Sequence, residues 1–98
     1  MTMTEKRKAL EEKFEAQMKE WNAQIALYKA KAKNAGADIK LEYSTAIENL
    51  EHKRDKAKAK LHELKAAGNE SWGDLKTGVE KSWAEVKTAF HEMTAKFK

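Results

Sequence analysis

Residues 71–81, SWGDLKTGVEK, are followed at once by residues 82–92, SWAEVKTAFHE, a second copy of the same 11-residue unit. Ser71 and Ser82, Trp72 and Trp83, Lys76 and Lys87, and Thr77 and Thr88 are identical between the copies. Asp74 and Glu85 keep an acid, while Leu75 and Val86, and Val79 and Phe90, keep an apolar group. Such a unit makes three turns of α-helix at about 3.67 residues per turn, so each copy returns to almost the same face. Trp72, Leu75, Val79, Trp83, Val86, Phe90, Met93 and Phe97 then follow one another at steps of three and four and form a single apolar stripe. One helix cannot bury that stripe alone. The rest of the chain, or a second chain, has to cover it.

Upstream the same steps run through Met3, Leu10, Phe14, Met18, Trp21, Ile25, Tyr28, Ala32, Ala35, Ile39, Tyr43, Ile47, Leu50, Arg54, Ala57, Leu61 and Leu64. Between Phe14 and Ile39 the steps alternate four and three, a heptad seam. Two steps of four in succession occur at Leu10, Phe14, Met18 and at Ile39, Tyr43, Ile47, and these are stutters. The flanks of the seam are polar: Glu15, Gln17, Asn22, Gln24, Lys29 and Lys31 in the first part, Glu51, Lys53, Lys58, Lys60 and Lys65 in the second. A stripe this narrow suits coiled-coil contacts better than the broad face of a globular helix. Proline is absent, glycine occurs four times, and no segment alternates as a strand does, so the chain reads as all-α. With 98 residues and 41% hydrophobic composition it is one small domain, residues 1–98, whose core alone supplies only a few kcal/mol.

Two places interrupt the pattern. In KAAGNES, residues 65–71, Gly68 stands where a helix C-cap wants a left-handed residue, and Ser71 with Asp74 spells a capping box for the next helix. In KNAGAD, residues 33–38, Asn34 and Gly36 suggest a loop with Asp38 as a cap, yet the seam passes through Ala32 and Ala35 into Ile39 without losing phase. The phase favours one long coiled-coil helix, about residues 4–66, bent near Gly36, followed by a shorter antiparallel helix, about residues 70–97: a helical hairpin. The alternative is an up-down-up three-helix bundle with turns near Gly36 and Gly68. In the hairpin the long helix spans about 95 Å and the short one about 40 Å. The stretch from Leu10 to Tyr28 is then left with no partner in its own chain. That surplus predicts a homo-oligomer, most simply an antiparallel dimer. The expected interaction seam is Phe14, Trp21, Ile25, Tyr28, Ile39, Tyr43, Ile47, Leu50, Leu61, Leu64, Trp72, Leu75, Val79, Trp83, Val86, Phe90 and Phe97.

Chemistry of other kinds finds little footing. The net charge is +4, but 20 basic and 16 acidic residues are interspersed. By segment it is +3 over residues 1–33, +1 over 34–67 and zero over 68–98, which argues against nucleic acid as a partner. The islands KAKAK at 29–33 and KRDKAKAK at 53–60 read as solvated helix faces, with an anionic surface as the functional alternative. There is no cysteine, and none of His52, His62 and His91 has a second His or a Cys three or four residues away. GDLKTG, residues 73–78, lacks the Lys and Ser/Thr that a phosphate loop needs next. No nucleophile, base and acid fall together, so no enzyme activity, metal or cofactor is expected. The charged start MTMTEKRKAL has no signal-peptide core and no run suits a membrane span, which places the chain in the cytoplasm.

Taken together, EKFEAQMKEWNAQI, KAKNAGADIKLEY and LHELKAAGNESWGDLKTGVEKSWAEVKTAF resemble a group of small bacterial coiled-coil proteins labelled as stress-response proteins of unassigned biochemical activity. The resemblance spans nearly the whole chain and is most specific at Trp21 and the paired Trp repeats. It implies a cytoplasmic helical protein connected with stress and carries over no catalytic residue. The function expected is therefore a self-associating interaction protein, with a client helix as a further partner. The alternative is a peripheral membrane protein whose last helix lays its Trp repeats on an anionic bilayer.

Overall fold

The computed structural model describes residues 2–97, which form three α-helices and no strand: α1 Met3–Lys33, α2 Ala37–Ala66 and α3 Asn69–Lys96. The chain runs up, down and up in a rod of 53 × 20 × 18 Å. Side-chain contacts between Glu11 and Trp72, Trp21 and Phe90, and Tyr28 and Thr94 show that α1 and α3 run in the same direction. The all-α class is as expected, and the arrangement is the three-helix alternative with turns at Gly36 and Gly68. The single helix over residues 4–66 is corrected: it is divided at residues 34–36. Folding α1 back onto α2 and α3 lets Phe14, Trp21 and Ile25 bury inside one chain, a gain in burial that a straight 63-residue helix forgoes.

The helix ends are set by local chemistry. Thr2 caps α1, its Oγ1 accepting from the Glu5 amide at 3.1 Å. Lys31 and Lys33 lie in the last turn of α1, where the helix dipole favours cations. Gly36 and Gly68 are the N-caps of α2 and α3, both extended, and neither helix receives a side-chain cap. The capping expected around Gly68 is therefore corrected. Its φ is −74°, not left-handed, and Ser71 lies inside α3 with its hydroxyl donating to the Gly68 carbonyl at 3.4 Å.

The helix faces differ in bulk. Along its buried face α2 presents Ile47, Leu50, Ala57, Leu61 and Leu64 and lets its neighbours close in. Of the eight aromatic residues three lie in α1, three in α3 and one, Phe97, at the C-cap of α3, while α2 holds only Tyr43. Among the described residues no Cα of α1 comes within 8 Å of one in α3, so those two helices meet through long side chains alone. Interiors tolerate no voids, and only large rings fill a gap of that width.

Candidate functional site

The expected interaction seam is for the most part the interior of the bundle. Phe14, Trp21, Ile25, Tyr43, Ile47, Leu50, Leu61, Leu64, Trp72, Val79, Trp83, Val86 and Phe90 are buried together, and Tyr28, Leu75 and Phe97 pack at the edge of the same cluster. The apolar stretch from Leu10 to Tyr28, for which no partner in the chain was expected, lies against α3. Phe14 and Trp83 meet at 4.8 Å between ring centroids, Trp83 and Trp21 at 5.0 Å, and Trp21 and Phe90 at 6.3 Å. Near the Gly36 end, Tyr28 meets Tyr43 at 6.4 Å and Tyr43 stacks on Phe97 at 3.9 Å. The Trp83 indole Nε1 is buried in this cluster without a hydrogen-bond acceptor. Leaving a donor unpaired costs about 1–3 kcal/mol, so the ring is retained here for its bulk.

A polar network closes the Gly68 end. The Arg7 guanidinium donates through Nη2 to the carbonyls of Leu64 at 3.2 Å, Lys65 at 3.3 Å and Ala67, and through Nη1 to Asn69 Oδ1 at 3.0 Å. Its Nε pairs with Glu11 Oε2 at 3.1 Å, and the same carboxylate oxygen accepts from Trp72 Nε1 at 3.0 Å. The cation also lies 5.8 Å from the Trp72 ring centroid. One side chain of α1 thereby takes up carbonyls at the C-terminus of α2, which carry the negative end of its dipole, and ties them to the start of α3. Sequence inspection passed over Arg7. The available signal was that only Arg7 and Arg54 break a lysine monopoly among the 20 basic residues. A guanidinium serves several acceptors in one plane where an ammonium cannot. Arg54 uses the same property to bridge Asn22 of α1 at 3.1 Å and Asp55 at 2.9 Å.

On the side lined by α1 and α2 alone runs an open furrow of about 770 Å³, with Met18 and Leu61 at its floor. Both floor residues are already more than nine-tenths buried, and Glu15, Lys19, Asp55, Lys58, Glu63 and Lys65 stand around it. It is a wet surface groove rather than an enclosed ligand pocket. Lys29 bridges to Glu51 at 3.2 Å, and Lys65 pairs with Glu15. The Lys65 ammonium is held above the ordinary lysine value, first by its hydrogen bond to Glu15 and then by that carboxylate's charge. His52, His62 and His91 are all exposed. Among the described residues no three His, Asp or Glu side chains gather in a metal-binding group, and no helix is long and apolar enough to cross a membrane.

The Gly36 end is plainer. Asn34 donates from its backbone to the Lys31 carbonyl at 3.2 Å and Ala35 to that of Ala32 at 3.2 Å, and the Lys40 amide reaches back to Gly36 at 2.7 Å. Ile39, the first seam residue beyond the turn, is 46% exposed. Leu27 and Leu41, outside the seam, are exposed as well. No family model, curated protein or solved structure matches this chain.

Proposed function

We propose that this chain is a non-enzymatic helical interaction protein of the cytoplasm that associates with itself and serves in stress protection. The observation that carries the reading is surface. The bundle exposes 6703 Å² for a mass of 11.2 kDa, whereas a compact monomer of that mass exposes about 5,700 Å². A thin rod of this kind keeps a small core, and its exposed Leu27, Ile39 and Leu41 are apolar area that a second chain would cover. The side chains with the most specific geometry, Arg7, Glu11, Trp72 and the aromatic run, all act on helix against helix. Stress protection rests on the sequence resemblance. Sedimentation equilibrium over a wide concentration range tests self-association: a mass rising from one chain to two supports it, and a single-chain mass at every concentration overturns it.

A second reading has a specific observation behind it. Gly73 and Gly78 lie in α3 where an added Cβ would meet nothing within 4 Å, so packing does not require them. Each lowers helix propensity by about 1 kcal/mol. A weakened α3 that leaves the bundle would offer Trp72, Trp83 and Phe90 to an anionic bilayer. Tryptophan emission separates the two. Blue-shifted emission that ignores anionic vesicles belongs to the interaction protein, and emission that moves blue only with lipid belongs to the membrane reading.

A further inference from the structure

The 34–36 turn has an unusual relation to its own sequence. It reverses the chain, yet the apolar register of α1 continues through Ala32 and Ala35 to Ile39 as if no turn were there. The turn needs no left-handed residue, and at Gly36 it is ψ rather than φ that departs from the helix. Gly36 has φ −63° and ψ 162°, and no residue among those described has positive φ. An added Cβ at Gly36 meets nothing within 4 Å, and no side chain caps α2. The bonds of Asn34 to Lys31 and of Ala35 to Ala32 reach three residues back, and a continuous helix replaces each with a bond four residues back. Ile39, the seam residue left 46% exposed, is the one placed at this hinge.

We propose that the chain dimerises by exchanging α1 with a second copy of itself, the 34–36 turn straightening so that α1 and α2 form one long helix. This rests on the self-association reading and specifies its mode. In the exchanged dimer α1 of one copy lies on α2 and α3 of the other and remakes the contacts it has in the closed bundle, the Arg7 network included. The core is conserved, and the gain comes at the crossing point, where Ala32, Ala35 and Ile39 of the two long helices meet about the two-fold axis. The two long helices are antiparallel, because α1 lies antiparallel to α2 in the closed bundle and keeps that direction on the α2 of the other copy.

Two substitutions at the hinge act in opposite directions. Ala37 is exposed, is the first residue of α2, and follows an extended residue, so Ala37→Pro fits the closed turn. In a continuous helix the same proline removes a hydrogen bond and clashes with the preceding turn. The exchanged dimer is then disfavoured by about a hundredfold or more. Gly36→Ala favours the continuous helix and raises the dimer constant by about tenfold. The parent and both variants are refolded at high concentration and measured by size exclusion with light scattering, with circular dichroism confirming helix content. A dimer that grows with Gly36→Ala and vanishes with Ala37→Pro is the expected result. Ala37→Pro dimerising like the parent overturns the exchange and leaves self-association standing, while single chains throughout overturn both. Should Ala37→Pro lose helix content, spin labels decide. Asn22→Cys in one preparation and Arg54→Cys in another are labelled and refolded together. A short distance between chains marks exchange, because Asn22 and Arg54 touch in the closed bundle, and a long one overturns it.

Discussion

Gly36 and Gly68 occupy nearly the same backbone conformation, φ −63° and ψ 162° against φ −74° and ψ 162°, and neither supplies a side chain to the helix that follows it. What differs is the rest of the bundle. At residues 67–68 the Arg7 guanidinium crosses from α1, collects carbonyls of Leu64, Lys65 and Ala67, and fixes Asn69 and Glu11. At residues 34–36 the hydrogen bonds are local ones of the turn itself. The helix after the clamped turn carries Gly73 and Gly78, whereas α2 contains no glycine. A tertiary clamp therefore stands where the next helix is weakest in its own propensity.

The largest test of that difference is to remove the clamp. Arg7→Ala leaves carbonyls at the end of α2 and the Glu11 carboxylate short of a partner, at a cost of about 2–3 kcal/mol. In a domain of this size that lowers the melting temperature by about 10–20 °C. Arg7→Lys should recover little of it, since an ammonium cannot span the same acceptors. Asn34→Ala at the other turn deletes only a 3.4 Å contact to the Ala30 carbonyl and should stay within about 0.5 kcal/mol of the parent. Thermal melts of the three variants are the measurement, and equal losses from Arg7→Ala and Asn34→Ala would erase the distinction between the turns.

The same contrast explains what could be read in advance. Periodicity located the buried faces well, because a residue such as Leu50 or Val79 sits on its stripe whatever the helix packs on. It gave no hint of the first turn, because Ala32, Ala35 and Ile39 keep phase across it. The local mark, Asn34 and Gly36, is compatible with a bend as well as a loop, and whether the chain folds back there is decided by α3 covering Phe14 and Trp21, a tertiary gain. Gly68 was legible as a break, but its side of the left-handed region was not, since a carbonyl that Arg7 satisfies from 57 residues away needs no local cap. Arg7 itself stands on the seam, four residues after Met3 and three before Leu10, but it is charged and flanked in sequence by Lys6 and Lys8, so it does not register as part of an apolar stripe.

The glycines after the clamp offer the next test. Gly73→Ala and Gly78→Ala each meet open space and should stabilise the bundle by about 1 kcal/mol. If the clamp compensates for a weak start to α3, hydrogen exchange in residues 69–78 should slow with either substitution. The gain should also be larger in the Arg7→Ala background than in the parent. Simple additivity would mean that clamp and glycines are unrelated. Smaller again is the effect of a cap. Gly36→Ser and Gly68→Ser give α2 and α3 the N-cap hydroxyl each lacks, for about 0.5 kcal/mol apiece. The two gains should match in chemical denaturation, because the clamp acts on the carbonyls of α2 and leaves the amides of α3 untouched. A gain at Gly36 alone would show that Arg7 already serves both sides of its turn.

The smallest effect separates the clamp from the ion pair beside it. Lys65 gives its carbonyl to Arg7 and its ammonium to Glu15, and the carboxylate raises the affinity of that ammonium for its proton. A lysine raised in the folded state contributes stability that is complete below its ordinary value of about 10.4 and is lost as the pH climbs through the raised one. Urea midpoints of the parent and Lys65→Gln should therefore differ slightly at about pH 9 and converge as the pH climbs through the raised value. The deficit of Arg7→Ala should persist across the same interval. If the Arg7→Ala deficit fades along with that of Lys65→Gln, the two interactions are one electrostatic unit, and the Gly68 turn owes its rigidity to Lys65 and Glu15 as much as to the guanidinium.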